Sequence, residues 1–152
     1  MNTSDLLDST LAEFAQKLGI GPLARGKDGV SVLSFDEIDV LLTTDNASLT
    51  LFTRVGVAPE GDADLLDALL AANLFWQETG GATLSLEPYS RVVIMAQRLA
   101  AAEVMSSEAL EAAVETFTHS AMEWKTTISH LGAHSSSNVN ANPASDTNLV
   151  RA

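Results

Sequence analysis

Three histidines and a thin scatter of carboxylates are the side chains through which this 152-residue sequence could do chemistry. His119 with Glu123, and His130 with His134, stand four apart, which on a helix places two metal-ligating groups on one face. Two ligands do not complete a site, and Gly132 interrupts the second pair, so solvated helix-end histidines are the simpler reading. Asp62 and Asp64 form an acidic pair that capping of the following helix explains without a metal. Asp36, Glu37 and Asp39 fall at a turn between strands, where acids are ordinarily solvated. "GIGPLA", residues 19–24, has the letters of a dinucleotide fingerprint, yet it follows a helix and contains Pro22. A pyrophosphate loop must instead leave a strand and open a helix. The sequence has no G-x-S-x-G elbow, no phosphate loop and no cysteine. Neither an enzyme, a cofactor nor a bound metal is expected.

The elements that would position these residues follow from hydrophobic period. In "DLLDSTLAEFAQKL", Leu7, Leu11, Phe14 and Leu18 make one stripe of an amphipathic helix, stopped by Gly19, Gly21 and Pro22. The period then changes to two in "VSVLSF", "IDVLLTT" and "SLTLFTRV", three strands joined by tight turns. A second helix runs from about Leu65 to Trp76, closed by the glycines of "TGG". Two more strands follow, "ATLSLEP" and "SRVVIMAQRL". A last helix begins at Ser106 or Ser107 and carries Leu110, Val114, Phe117, Ala121, Trp124, Ile128 and Leu131 on its apolar stripe. The order α-β-β-β-α-β-β-α describes an α+β domain over residues 1–131, with one largely antiparallel five-stranded sheet and three helices. From Gly132 onward, residues 132–152 read as a disordered polar tail.

Charge narrows the partners. Eight basic residues against 20 acidic ones give a net −12, a field that repels phosphate backbones and anionic lipid surfaces, so neither nucleic acid nor membrane is expected. No apolar run approaches the length of a membrane span, and the N-terminus has no basic segment of a secretory signal, so a cytoplasmic location is expected.

The second helix, "ADLLDALLAANLFWQETGG", has no charged side chain between Asp67 and Glu78. Leu66, Leu69, Leu70 and Asn73 lie on one flank of it, Leu65, Ala68, Ala72 and Phe75 on another, and Leu74 and Trp76 widen the cover. One sheet buries only one side of such a helix, and monomers rarely leave the rest wet. At ~25 cal/mol per Å², hiding a few hundred Å² is worth on the order of 10 kcal/mol gross per chain. A homodimer with a two-fold contact across this helix is therefore expected. Leu6, Leu33, Phe35, Val93 and Met95 form a second apolar surplus, which either fills the core or binds an extended polypeptide at an unpaired strand edge.

These patterns together resemble the class I type III secretion chaperones, the Tir chaperone family of Gram-negative bacteria. The likeness covers roughly residues 4–131 and is carried by "LLDALLAANLFWQETGGATLSLEP", "SRVVIMAQRL" and "SSEALEAAVETFTHSAMEW". It implies a homodimer that binds the extended N-terminal chaperone-binding segment of one or a few effectors and keeps them soluble and secretion-competent. It also implies delivery to the secretion ATPase and no hydrolysis. Carried onto this sequence, the dimer contact falls on Leu69, Leu70, Asn73, Leu74, Trp76, Leu84 and Leu86. The effector contact falls on Leu6, Leu7, Leu11, Phe14, Val32, Phe35 and Met95. The competing reading is a dimeric adaptor or regulator that binds a folded partner, such as the secretion ATPase, on the same fold.

Overall fold

The computed structural model describes residues 2–23, 27–45 and 47–140. Helix α1 (Thr3–Lys17) opens with a capping box: the Asn2 side chain accepts from the Asp5 amide while the Asp5 carboxylate accepts from the Asn2 amide. It ends in a Schellman turn, in which the Gly19 and Ile20 amides return to the Gln16 and Ala15 carbonyls. That turn needs the left-handed Gly19, at φ +69°. The would-be dinucleotide fingerprint is thus a helix C-cap.

Strands β1 (Ser31–Phe35), β2 (Ile38–Thr44) and β3 (Ser48–Val57) form a meander. Helix α2 (Ala63–Ala72), strands β4 (Thr83–Leu86) and β5 (Val92–Ala100) and helix α3 (Ser107–Asn140) complete the chain. The five strands make one antiparallel sheet in the order β1-β2-β3-β5-β4, with β1 and β4 at its edges. One face, with Leu33, Val40, Leu51, Val93 and Met95, is buried against the apolar stripes of the helices. On the other face, in-register Val32, Leu41, Phe52 and Ala96 remain partly or fully exposed. The apolar run of β5 serves both faces, which resolves part of the surplus into ordinary burial.

Helix α3 crosses β3 at a bulge between Arg54 and Gly56, where a Cβ on Gly56 would stand 2.6 Å from Ile128 Cγ2. Glycine at this position leaves the room that the Ile128 side chain occupies.

Two boundaries differ from expectation. The last helix does not stop at Gly132 but continues to Asn140. An isolated helical glycine costs only about 1 kcal/mol relative to alanine, and no proline follows until Pro143. The remainder of the expected disordered tail, residues 141–152, lies outside the described residues. The second helix ends earlier, at Ala72. Leu74–Trp76 form a single tight turn in which Phe75 and Trp76 both take the left-handed conformation, each with φ 54°. Such a conformation costs a non-glycine residue roughly 1–2 kcal/mol, so tertiary contacts must hold it.

Candidate functional site

The first apolar surface is the α2 face and the turn after it. Asp62 caps α2, accepting from the Leu65 amide at 3.0 Å. Leu65, Leu69 and Ala72 then point into the core, while Leu70 is 71% exposed. Past the helix end, Asn73 fastens the turn to β4. Its amide nitrogen donates to the Leu84 carbonyl and its amide oxygen accepts from the Leu84 N–H, both at 2.9 Å. The Trp76 indole N–H donates to the Thr83 hydroxyl at 3.3 Å. These bonds hold the left-handed turn and push Leu74, Phe75 and Trp76 outward, with Phe75 76% exposed. Of the expected dimer residues, Leu70, Leu74 and Trp76 form this projecting face. Leu86 is half-buried and Asn73 braces the turn from beneath. Leu69 and Leu84 are corrections: both lie in the protomer's own core, because Leu69 packs inward with Leu65 and Ala72 and the inward side of β4 is consumed by the chain itself. Phe75, which a continuous helix sets on one flank with Leu65 and Ala72, projects with Leu74 and Trp76 instead and was not among the expected dimer residues.

The second surface is a groove of about 460 Å³ along the outer edge of β1. Its walls are Val32 and Phe35 on the strand and Leu18, Ile20 and Leu23 on the α1–β1 connection. A neighbouring groove of about 560 Å³ runs between α1 and the ends of β1 and β2, lined by Leu11, Ala15 and Leu23, with Asp8 at its rim. The main-chain phase of β1 follows from the ladder. The Asp45 N–H donates to the Ser48 carbonyl at 3.0 Å, which makes these residues a hydrogen-bonded pair. Alternation then turns the polar groups of Leu41 toward β3 and those of Val40 and Leu42 toward β1. Ser31 and Leu33 receive them, so Val32 and Ser34 point their N–H and C=O groups outward into the groove. An apolar trough beside a main-chain row that is unpaired among the described residues is the geometry that accepts an extended peptide.

Of the expected effector residues, Leu11, Val32 and Phe35 line these grooves and Leu6 is half-buried on α1. Leu7, Phe14 and Met95 do not: they are 3%, 1% and 0% exposed and fill the core. The stripe assigned to a client is the stripe α1 needs in order to pack on the sheet. Ile20 and Leu23 were missed because they lie in a turn, where no period marks a face, while Leu18, the last residue of the helical stripe, caps α1 and lines the groove.

The polar candidates have local explanations. His119 approaches Glu123 at 3.4 Å on an exposed helical turn, and among the described residues no cluster of three metal-ligating side chains occurs. Trp124 is a core residue whose indole donates to the Glu78 carbonyl at 3.0 Å. Two turn carboxylates are held below their ordinary pKa by donors. The Ala47 amide acts first on Asp45, with the Ser48 hydroxyl and amide and Arg98 adding to it. The Ser90 hydroxyl and amide, then the Tyr89 amide, act on Glu87. Both fix hairpins rather than reacting groups. No helix among the described residues is long and apolar enough to cross a membrane.

The fold is shared with known complexes. A chain of the ExsC–ExsE complex superposes with a TM-score of 0.70 at 23% identity, covering 84% of this chain and 97% of that one. A chain of the HopA1–SchA chaperone–effector complex gives 0.67 at 21% identity, covering 83% and 98%. The Yersinia pestis type III secretion chaperone SycH, in complex with a stable fragment of YscM2, gives 0.61 at 23% identity, covering 78% and 98%. Comparison with curated proteins gives no match. At the level of sequence, the Tir chaperone protein (CesT) family matches residues 9–125, from the middle of α1 to the middle of α3 and across the whole sheet. The chain belongs to the Tir chaperone protein family.

Proposed function

We propose that this protein is a cytoplasmic type III secretion chaperone. It binds the extended N-terminal chaperone-binding segment of one or a few effectors and keeps them soluble and competent for secretion. The observation that carries the reading is the open β1 edge beside its apolar groove. Val32 and Ser34 offer main-chain donors and acceptors while Leu18, Ile20, Leu23 and Phe35 offer apolar cover. A client strand would pair through its backbone, which every sequence possesses, and place alternate side chains in the groove. The protein forms a homodimer through Leu70, Leu74, Phe75 and Trp76, burying surface that a monomer leaves wet. It performs this work by binding alone, without catalysis or a cofactor. Residues 132–152 are an appendage to the chaperone domain.

A pull-down with the isolated N-terminal segment of an effector, set beside the folded remainder of the same effector, tests this. Binding of the segment alone is expected. If only a folded partner such as the secretion ATPase is retained, the protein is instead an adaptor. The projecting aromatic face favours that second reading if it proves uncovered in solution.

A further inference from the structure

The two sheet edges are not equivalent, and the reason lies in side chains after α2 that, besides holding the projecting turn, occupy the main-chain groups of the β4 edge. The Glu87 N–H donates to the Val92 carbonyl at 2.8 Å, so the hydrogen-bonded pairs of β4 with β5 are those of Glu87, Ser85 and Thr83. Leu84 and Leu86, and Ala82 just before the strand, therefore point their main-chain groups away from the sheet. At Leu84 both groups are taken by the Asn73 side chain at 2.9 Å. At Ala82 the N–H goes to the Thr79 carbonyl at 3.3 Å, and the carbonyl accepts from the Thr79 hydroxyl at 2.5 Å. Leu86 alone is left on that edge, too little for a ladder. Thr79 is 1% exposed, and its hydroxyl lies closer to the Ala82 carbonyl, at 2.5 Å, than to its other acceptor, the Trp76 carbonyl at 3.3 Å.

We infer that Asn73 and Thr79 are edge-closing residues that confine strand addition to β1 and keep the sheet from growing. A sheet with one open edge can receive one strand. A sheet with two unlike open edges can pair β1 of one copy with β4 of the next, a head-to-tail contact that does not close and so propagates. Asn73 supplies a donor and an acceptor at fixed spacing from one planar amide, the same pair an added strand would present at that position. The inference does not depend on the client, since it concerns this chain alone.

The experiment compares the full-length protein with Asn73→Ala, Thr79→Val and the double variant by light scattering across a concentration series, with amide exchange at Ala82 and Leu84. The double variant is expected to lose protection at the Leu84 amide, with the Ala82 amide, held by the Thr79 main-chain carbonyl, as the internal reference, and to form open-ended assemblies, its mean mass climbing at least about fivefold with concentration while the wild type holds one mass. Adding Ser34→Pro, which removes an outward β1 donor without touching the β1–β2 ladder, is expected to return it to the wild-type mass. If Asn73→Ala does not fold, Thr79→Val alone, which keeps the side-chain shape, is expected to give a smaller rise suppressed by the same proline. An unchanged mass in folded variants, or growth that Ser34→Pro leaves untouched, would overturn the inference.

Discussion

The face around Phe75 and Trp76 and the groove beside β1 are both apolar, yet one projects and the other recedes, and they differ most in their backbone. Around Trp76 every nearby main-chain group of the β4 edge but that of Leu86 is already satisfied, by Asn73 and Thr79. Such a surface recognises only shape, and shape recognition suits a partner that never varies, such as a second copy. Beside β1 the backbone is open and the walls are aliphatic side chains from a turn. On the proposed reading, that surface would recognise an extended chain whatever its sequence, which suits a client that changes. One molecule would then separate constant from variable recognition by where main-chain hydrogen bonds are spent.

Four predictions break or sharpen this contrast. The largest effect belongs to neither surface: Phe14→Ala, in the core beneath the groove, is expected to lower stability by about 3–5 kcal/mol in urea unfolding. Its client affinity, measured on the folded fraction, should change little. A groove contact would show the opposite split. Next, Trp76→Asp or Leu70→Asp should weaken the dimer by at least about 100-fold, roughly 3 kcal/mol, in sedimentation equilibrium while leaving the monomer folded. Unchanged self-association would return this face to the adaptor reading. Third, Val32→Asp is expected to reduce affinity for an extended effector segment about tenfold by calorimetry without altering the dimer. Equal damage to both assemblies would mean the surfaces are not separate.

The smallest effect concerns the turn that carries β2 into β3. The folded-state pKa of Asp45 is depressed, so its contribution to stability is present above the unfolded carboxylate value near ~4 and is lost as pH falls through the lower folded value. Asp45→Asn should therefore lower the urea midpoint slightly at neutral pH, leave it nearly unmoved at the acid end, and so flatten the acid limb. An acid limb identical to wild type would remove Asp45 from the account of acid sensitivity.

Much of the scaffold was legible because period alone encodes it. Val40, Leu42, Leu49, Leu51 and Val55 alternate in their strands, and Leu110 through Ile128 recur at helical spacing, so sheet and last helix emerge from local pattern. The end of α2 was not legible. Leu74, Phe75 and Trp76 continue a helical pattern, and what turns them out is the bond between Asn73 and Leu84, eleven positions away. Long-range geometry of this kind leaves no period in the sequence. The same blindness explains Leu7, Phe14 and Met95, whose apolar character says that they are buried and not by whom. The β1 groove was half legible: Val32 and Phe35 came from the strand, while Ile20 and Leu23 needed the Schellman turn to place them.

The two tryptophans occupy opposite circumstances, Trp124 packed in the core against α2's trailing loop and Trp76 53% exposed on the projecting face. Intrinsic fluorescence is thereby divided between two unlike emitters. The quenchable, red-shifted part comes from Trp76 and follows whether its face is covered, while the shielded part comes from Trp124 and follows whether the chain is folded. With Trp76→Phe as the reference, assembly and folding can be tracked in one cuvette with no label attached.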